Sequence, residues 1–457
     1  MGESFYPYIG AMIWISLLLC LATFLRSRIK ILQTFLVPAS LIGGILGFIC
    51  VNLGIVGMPT MEGWQPIPTK VFSVMTFHLF AFGFVGVGLM KSKETNTSKL
   101  MFRGGLWMAL MYCFIWSVQG IIGKSVFELW HMTVGGDFDS CLGYLLGCGF
   151  AQGPGQAHAY GSIWETTYHV GNAMSMGLAS AAMGFVVAVV IGVPLAYTGI
   201  RRGWISGEHK GSLPEFFLRG IMKKGDNPAC AKATTHSATI DSFAFHLALM
   251  GVVYGLAYTF GLYWTLFMPA GVNGLGFGLL YTWGMCLAML TRFVLNKTGS
   301  SHILDGDTVR RITNTSVDFM VCAVFLAISV SELQSVLMPF LIAVILAALA
   351  TLVLIMWYAR RAPEYNFERG IACFGCYTGT VATGMLLLRI VDPEFESPAA
   401  IELGIMNVII LLLSQPLTVG YPFIPSEACP MFLIMVGYVV VVPIAMYMLK
   451  LVKKVAW

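Results

Sequence analysis

Charged residues are scarce in this sequence, in which Asp, Glu, Lys and Arg together make up 11% of 457 residues. A soluble domain carries about 25% charged residues, so this chain lacks the polar surface that contact with water requires. Hydrophobic residues make up 57% of the chain, and the mean hydropathy is +0.79. The composition therefore excludes an ordinary soluble protein and predicts an all-α integral membrane protein, with the lipid bilayer as its solvent.

Residue spacings typical of metal and catalytic sites are also missing. Cys373 and Cys376 form a CxxC, but no second pair or nearby histidine accompanies it, which favours a packing role. His78 and His158 stand alone in apolar runs, and a hydrogen-bonded core histidine is a simpler interpretation than a proton relay. We expect neither an enzyme nor a covalently bound cofactor. The net charge of +5 lies in particular loops and does not indicate a nucleic-acid partner.

Apolar runs of about 20 residues, the length needed to cross a bilayer, recur along the whole chain. The first run, 8–25, lacks the preceding basic residues and the following cleavage site of a signal peptide, so we expect a retained helix. Eleven transmembrane helices are predicted, at residues 8–25, 35–56, 71–90, 104–126, 172–198, 243–264, 272–295, 315–333, 336–358, 398–420 and 430–449.

Two further apolar stretches, 141–163 and 369–390, are interrupted at their centres. The first contains Gly153-Pro154-Gly155 and the second contains Thr378-Gly379-Thr380. Gly and Pro cost a helix interior about 1 and 3 kcal/mol, and broken backbone at membrane depth survives only when protein buries it or a cavity hydrates it. We therefore predict two re-entrant hairpins, each of which returns to the side from which it enters.

The distribution of basic residues predicts the orientation in the membrane. Arg26, Arg28 and Lys30 follow the first helix, and the long loop 199–242 holds seven Lys and Arg residues, whereas the intervening loops are neutral or acidic. Because cytoplasmic loops carry the excess of Lys and Arg, the amino terminus is predicted outside and the carboxyl terminus in the cytoplasm. The alternation requires both hairpins to be re-entrant.

The order of the predicted elements repeats once, in inverted orientation. Residues 1–198 hold five helices and the first hairpin, residues 199–242 form a cytoplasmic linker, and residues 243–424 hold five helices and the second hairpin. Residues 425–457 add an eleventh helix and a tail. Inverted repeats with broken segments near the midplane are typical of secondary transporters, whose substrate site lies between the repeats.

Short motifs support a closer comparison. Outside the hairpins they are Val37-Pro38, Gly43-Gly44-Ile45-Leu46, Val87-Gly88-Leu89, Ala179, Gly184, Val187, Ile191-Gly192, Pro194-x-Ala196, Asn314-x-Ser316 and Glu332-Leu333. Inside the hairpins they are Gly143, Gly147, Gly153, Ala159, Ser162, Gly375, Gly379 and Thr383. Their order and spacing, over about residues 8–420, resembles that of the bacterial sodium/glutamate symporters, the glutamate:sodium symporter family.

The resemblance implies a sodium-coupled carrier of glutamate in the bacterial inner membrane, a homodimer with a scaffold part and a mobile part that carries both hairpins. The sequence departs from the family pattern in three places. The first hairpin reads Gln152-Gly153-Pro154-Gly155-Gln156-Ala157-His158 where the family has Ser-Gly-Gly-His-Gly-Thr-Gly. The tenth-helix aspartate is absent, with Ser414 nearest its place, and the eleventh helix is extra.

The hairpin tips are the predicted substrate site, because their backbone N–H groups and helix amino termini attract anions. Its candidate residues are Gln152, Gly153, Pro154, Gly155, Gln156, Thr378, Gly379, Thr380, Thr383 and Arg389. The alternative is that the glycines only allow close packing and the threonines bond their own helix. For Arg389, an ion pair with Asp392 or Glu394 is the favoured alternative to a substrate carboxylate.

The predicted coupling-ion residues are Asn314, Ser316, Asp318, Asn407 and Ser414. An intramembrane carboxylate such as Asp318 indicates function by default; a snorkelling or capping role near the interface is its alternative. Glu402, beside Asn407 on the tenth helix, is open to the same two interpretations.

We expect a cation-coupled symporter for glutamate or a related small amino acid or carboxylate. Na⁺ is the favoured coupling ion, and a proton-coupled carrier of another small organic anion is the alternative. A channel or a membrane-embedded enzyme is a rival from another class, but the sequence shows neither polar helix faces lining a pore nor a catalytic pair.

Overall fold

The protein is almost entirely helical in the computed structural model, which describes residues 6–60, 63–90, 99–206, 219–222, 231–269, 273–362, 364–393, 397–426 and 429–452. Of the predicted linker, residues 207–218 and 223–230 lie outside the described residues. In the first half of the chain, the helices are α1 (Tyr6–Arg28), α2 (Lys30–Thr34), α3 (Ala39–Asn52), α4 (Thr69–Leu89), α5 (Lys99–Thr133), α6 (Tyr144–Gln152), α7 (Pro154–Tyr168), α8 (Ala173–Val190) and α9 (Gly192–Arg201).

In the second half, the helices are α10 (Ser242–Phe267), α11 (Leu275–Gly278), α12 (Leu280–Lys297), α13 (Gly306–Leu326), α14 (Val330–Leu333), α15 (Leu337–Ala359), α16 (Asn366–Thr378), α17 (Val381–Val391), α18 (Ala399–Leu413), α19 (Gln415–Gly420) and α20 (Met431–Met448). A two-stranded antiparallel hairpin, β1 (Gly57–Thr60) and β2 (Gly63–Pro66), lies between α3 and α4. The sequence pattern predicts only a loop between these two helices.

Seven helical segments among the described residues are long and apolar enough to cross a membrane: α1, α4, α5, α8 with α9, α10, α15 and α20. An eighth span results if α18 and Gln415–Ser426, which meet at a 53° bend, count as one. Three predicted spans do not appear among these segments. The span 35–56 corresponds to α3, a shorter apolar helix, and the spans 272–295 and 315–333 overlap α12 and α13. The protein is therefore a multi-pass membrane protein, and the full count of eleven helices stays a prediction.

The chain forms two compact units, each of which contains helices from both predicted halves of the chain. Unit 1 comprises residues 1–25, 39–95 and 220–329, and unit 2 comprises residues 26–38, 96–219 and 330–457. Unit 1 thus takes the first three predicted helices of each half of the chain. Unit 2 takes the fourth and fifth helices and the hairpin of each half, together with the eleventh helix. Both hairpins belong to unit 2.

Unit 1 is built around α4, which packs against α12 and α13, while α3 packs against α13 and α10 against α12. Its core includes the buried side chains Val85, Leu89, Met250, Val253, Ala288, Val309 and Ile312. Aspartates begin two of its helices. The Asp305 carboxylate accepts the N–H of Thr308 at 2.8 Å, and Asp241 caps α10 in the same way. Such caps satisfy N–H groups that have no partner within the helix.

Unit 2 is built around α5, which packs against α6, α15, α18 and α20. Helix α8 packs against both α6 and α7, and α16 packs against α17. Small residues allow these close contacts, as is usual where helices associate in membranes. At Gly123 of α5, an added β-carbon would collide with the carbonyl oxygen of Gly143, just before α6.

We expect Gly123→Val to destabilise the protein by about 1–3 kcal/mol, because the larger side chain forces α5 away from the chain before α6. The matched control is Gly404→Ala on α18, where an added β-carbon would meet no atom within 4 Å. That change should be neutral or stabilising by up to about 1 kcal/mol, since Ala favours the helix over Gly. The midpoint of thermal unfolding in detergent measures both, and equal midpoints would contradict the packing argument.

Candidate functional site

The first hairpin is broken at Gly153, between α6 and α7. Gly153 has φ 86° and ψ −178°, a conformation that residues with a β-carbon rarely adopt. Pro154 then occupies the first turn of α7, where its missing N–H costs no hydrogen bond. No side chain caps this helix at Gly153. The N–H groups of the first turn of α7 therefore have neither a helical partner nor a side-chain cap from Gly153.

The second hairpin is broken at Gly379 and Thr380, between α16 and α17. Here the side chain of Thr383, in the first turn of α17, reaches back to the backbone N–H of Thr380, as one half of a capping box does. The Thr383 hydroxyl accepts the N–H of Thr380 at 2.8 Å and lies 2.8 Å from the carbonyl oxygen of Gly375, to which it can donate. A β-carbon at Gly379 would collide with this hydroxyl. The two breaks thus differ in one respect: at the second, a hydroxyl from the first turn of the following helix bonds to the backbone of the break.

Helix α8 contacts both hairpins at a single glycine. A β-carbon at Gly184 would collide with the carbonyl oxygen of Thr378 and would lie 3.3 Å from the ring of Phe150. Phe150 precedes the first break by three residues, and Thr378 is the last residue before the second. Gly184 therefore brings the two broken segments together within unit 2.

Tyr112 of α5 makes a second link between the hairpins. Its hydroxyl donates to the carbonyl of Ala151 at 3.2 Å, close to the first break. Its ring meets the ring of Tyr377 edge-on, with centroids 5.5 Å apart, close to the second break. The Tyr377 hydroxyl in turn donates to the carbonyl of Met108 on α5 at 2.6 Å. Helix α5 therefore fixes the position of both tips.

An aromatic cluster supports the first hairpin. The ring of Tyr421 stacks on Tyr160 of α7 and on Trp116 of α5, with centroids 5.1 and 5.3 Å apart. The Tyr160 hydroxyl donates to the carbonyl of Thr418 at 2.8 Å and accepts from the side-chain amide of Gln156. Because Tyr160 has only one proton to give, the Gln156 amide must present its NH₂ group. Its Oε1 is then left without a hydrogen-bond partner among the described residues.

The predicted substrate residues lie mostly in the interior of unit 2. Gly153, Pro154, Gly155, Gln156, Thr378, Gly379 and Thr383 are buried, whereas Gln152 and Thr380 are half-buried. Arg389 is exposed and lies in the last turn of α17. Almost the whole length of that helix separates it from the break. Of its predicted ion-pair partners, Asp392 accepts from the N–H and hydroxyl of Ser397, and Glu394 lies outside the described residues.

The five predicted coupling-ion residues are divided between the two units. Asn314, Ser316 and Asp318 lie on α13 of unit 1, where Ser40 hydrogen-bonds to the Asp318 carboxyl group. Asn407 and Ser414 belong to unit 2. The hydroxyls of Ser316 and Ser414 both donate to carbonyls one turn back in their own chain, at 3.2 and 2.7 Å.

Glu402, for which the sequence left two interpretations open, forms a buried ion pair. Its carboxylate accepts two hydrogen bonds from the guanidinium of Arg369 on α16, at 2.6 and 2.5 Å. The side chains of Arg369 and Glu402 are 1% and 0% exposed. This bidentate pair joins the start of the second hairpin to α18, and it indicates a structural rather than a ligand-binding role for Glu402.

Gln119, a fully buried amide on α5, is not among the site residues predicted from the sequence. It donates to the Thr351 hydroxyl at 2.9 Å and to the carbonyl of Tyr377 at 3.0 Å, so it contacts the tip of the second hairpin. Its only signal in the sequence is an amide inside an otherwise apolar run.

The sequence profile of the family described as sodium/glutamate symporter matches residues 8–384, a range that includes both hairpin breaks. The chain belongs to the sodium/glutamate symporter family. No curated protein matches it. Membership in this family makes the protein a membrane transporter and not an enzyme, and it supports cation-coupled symport of a small molecule, with Na⁺ as the ion that the family name gives. The predicted family is thereby confirmed.

Proposed function

We propose that this sodium/glutamate symporter family member takes up glutamate or a related small amino acid or carboxylate, driven by Na⁺, and that the substrate binds at the two hairpin tips. One observation carries the proposal: Gly184 and Tyr112 each contact both broken segments, so the two breaks lie together inside one unit. Membership in the sodium/glutamate symporter family supports the coupling ion and the substrate class. The closeness of the two breaks supports the hairpin tips as the binding site.

The first hairpin has the properties of an anion site. The amino terminus of α7 has no side-chain cap at Gly153, and the following residues, Gly155 and Gln156, are buried. Free N–H groups and the positive end of the helix dipole favour a carboxylate there. The substrate-binding set that we propose remains the ten predicted residues, with Arg389 the weakest member because it is exposed.

The composition of the units supports an elevator-type carrier. Because both hairpins and α5 belong to unit 2, we propose that unit 2 is the mobile part and unit 1 the scaffold, which forms a homodimer. Corresponding predicted helices of the two halves enter the same unit, which supports inverted repeats. We propose the orientation that the basic loops predict, with the amino terminus outside and the carboxyl terminus inside a bacterial inner membrane.

Uptake into proteoliposomes tests the proposed coupling. With an inward Na⁺ gradient, we expect saturable accumulation of labelled glutamate or a competing amino acid or dicarboxylate. A pH gradient alone should drive none, whereas a proton-coupled carrier that uses Asp318 would respond to it. Full uptake with choline in place of Na⁺ would overturn Na⁺ coupling. Flux that does not saturate would indicate a channel instead.

A further inference from the structure

Gln119 lies where α5, α15 and the end of α16 meet in the interior of unit 2. Its side-chain NH₂ group donates to the Thr351 hydroxyl and to the carbonyl oxygen of Tyr377. A carbonyl oxygen can only accept, so the NH₂ group must face Tyr377, and the orientation of the amide is fixed. The Oε1 of Gln119 consequently points elsewhere.

No hydrogen-bond partner for the Gln119 Oε1 exists among the described residues, although the residue is 0% exposed. An acceptor left unsatisfied in the interior costs about 1–3 kcal/mol, and nearly all buried polar groups are paired. Thr351, its other neighbour, is also fully buried. The atom therefore requires a donor or a cation that the described residues do not supply.

The neighbouring helix end favours a cation over an anion. Tyr377 lies in the last turn of α16, which ends at Thr378, so the carbonyl groups of that turn have no helical partner. These carbonyls form the negative end of the helix dipole. Gln156 holds a similar unsatisfied oxygen, but it lies in the first turn of α7, at a positive helix end. Gln119 thus combines a fully buried side chain, whose oxygen has no partner among the described residues, with a neighbouring helix carboxyl terminus.

We propose that the Gln119 Oε1 is a ligand of the coupling Na⁺, which binds at the carboxyl end of α16 with Gln119 and carbonyl oxygens of that last turn. The ligand class is a desolvated monovalent cation, since amide and carbonyl oxygens are hard donors without formal charge. The inference rests on the proposed Na⁺ coupling and adds a residue outside the predicted ion set. It also links ion binding to the second hairpin, because Tyr377 directly precedes its break.

Thermal unfolding of the purified full chain tests the proposal, with NaCl exchanged for choline chloride at constant ionic strength. The wild-type midpoint should rise with Na⁺, as expected for a ligand of the folded state. Gln119→Leu should weaken the apparent Na⁺ affinity at least tenfold. Gln119→Glu keeps an oxygen in place, and its Na⁺ affinity should increase with pH as the carboxylate ionises, unlike that of the wild type.

Ser117→Ala is the matched control, because this buried hydroxyl on α5 donates to the carbonyl of Cys113 in its own helix. It should shift the midpoint without changing the Na⁺ dependence. If Gln119→Leu lowers the midpoint but keeps the wild-type Na⁺ affinity, the oxygen binds water or is structural, and the proposal is overturned. If that variant does not fold, a Na⁺ affinity of Gln119→Glu that is independent of pH overturns it equally. A wild type that is indifferent to Na⁺ would refute the proposed coupling itself.

Discussion

Glu402→Ala is expected to lower the free energy of unfolding by about 3–5 kcal/mol, because it leaves the Arg369 guanidinium buried without its counter-charge. The pair is bidentate and almost completely excluded from solvent. Among the described residues, Arg369 then keeps its bond to the carbonyl of Glu364, which does not neutralise its charge. The loss should appear as a lower midpoint of thermal unfolding and as reduced yield of folded protein.

The double variant Arg369→Met, Glu402→Met distinguishes two quantities. One is the cost of leaving the Arg369 charge buried without a partner, and the other is the net contribution of the ion pair to the free energy of unfolding. Replacing a buried ion pair by apolar side chains of similar volume is often neutral or stabilising, so the double variant should be clearly more stable than Glu402→Ala. Gly104 limits the choice of side chain, since it packs directly against the Glu402 carboxyl group. If the double variant is as unstable as Glu402→Ala, the instability does not come from an unpaired charge. The packing of unit 2 would then depend on the shape of the two side chains.

Gly153→Val and Gly379→Val are expected to reduce uptake more than 100-fold while the purified protein keeps its oligomeric state. At Gly153, a branched side chain is incompatible with φ 86°. At Gly379, a β-carbon would displace the Thr383 hydroxyl that caps α17. Either change moves a hairpin tip away from the geometry that binds the substrate. Uptake rate, measured beside gel filtration for each variant, checks the expectation.

Two comparisons make this test decisive. Gly404→Val changes the same residue types in the same unit, at a position with no atom within 4 Å of an added β-carbon, and it should retain uptake. Thr383→Ala should reduce uptake less than the glycine variants, because each hydrogen bond that it removes is worth about 0.5–1.5 kcal/mol. Variants of Gly153 and Gly379 that fold and transport normally would place the substrate site elsewhere. Variants that lose their oligomeric state together with activity would favour a packing role for these glycines.

The sequence by itself determined the class of protein, the family and the places where two helices break. Scarce charge and repeated apolar runs leave a membrane protein as the only class, since each backbone group in lipid must find its partner within a helix or a barrel. The breaks at Gly153 and at Gly379-Thr380 can be predicted from the local sequence, because Gly and Pro destabilise the interior of a helix wherever they occur. The helix ends in the structure agree: α6 ends at Gln152 and α16 at Thr378.

The tertiary structure alone decided which distant side chains meet. Gln119 and Tyr377 are 258 residues apart, and Arg369 and Glu402 lie on different helices, so no local pattern joins them. Gly184 belonged to a recognised motif, yet only packing shows that it contacts both hairpins. The division into units likewise depends on contacts between the two halves of the chain. Hydropathy and helix breaks are properties of neighbouring residues, whereas ion pairs and buried amide contacts exist only once separate helices are packed together.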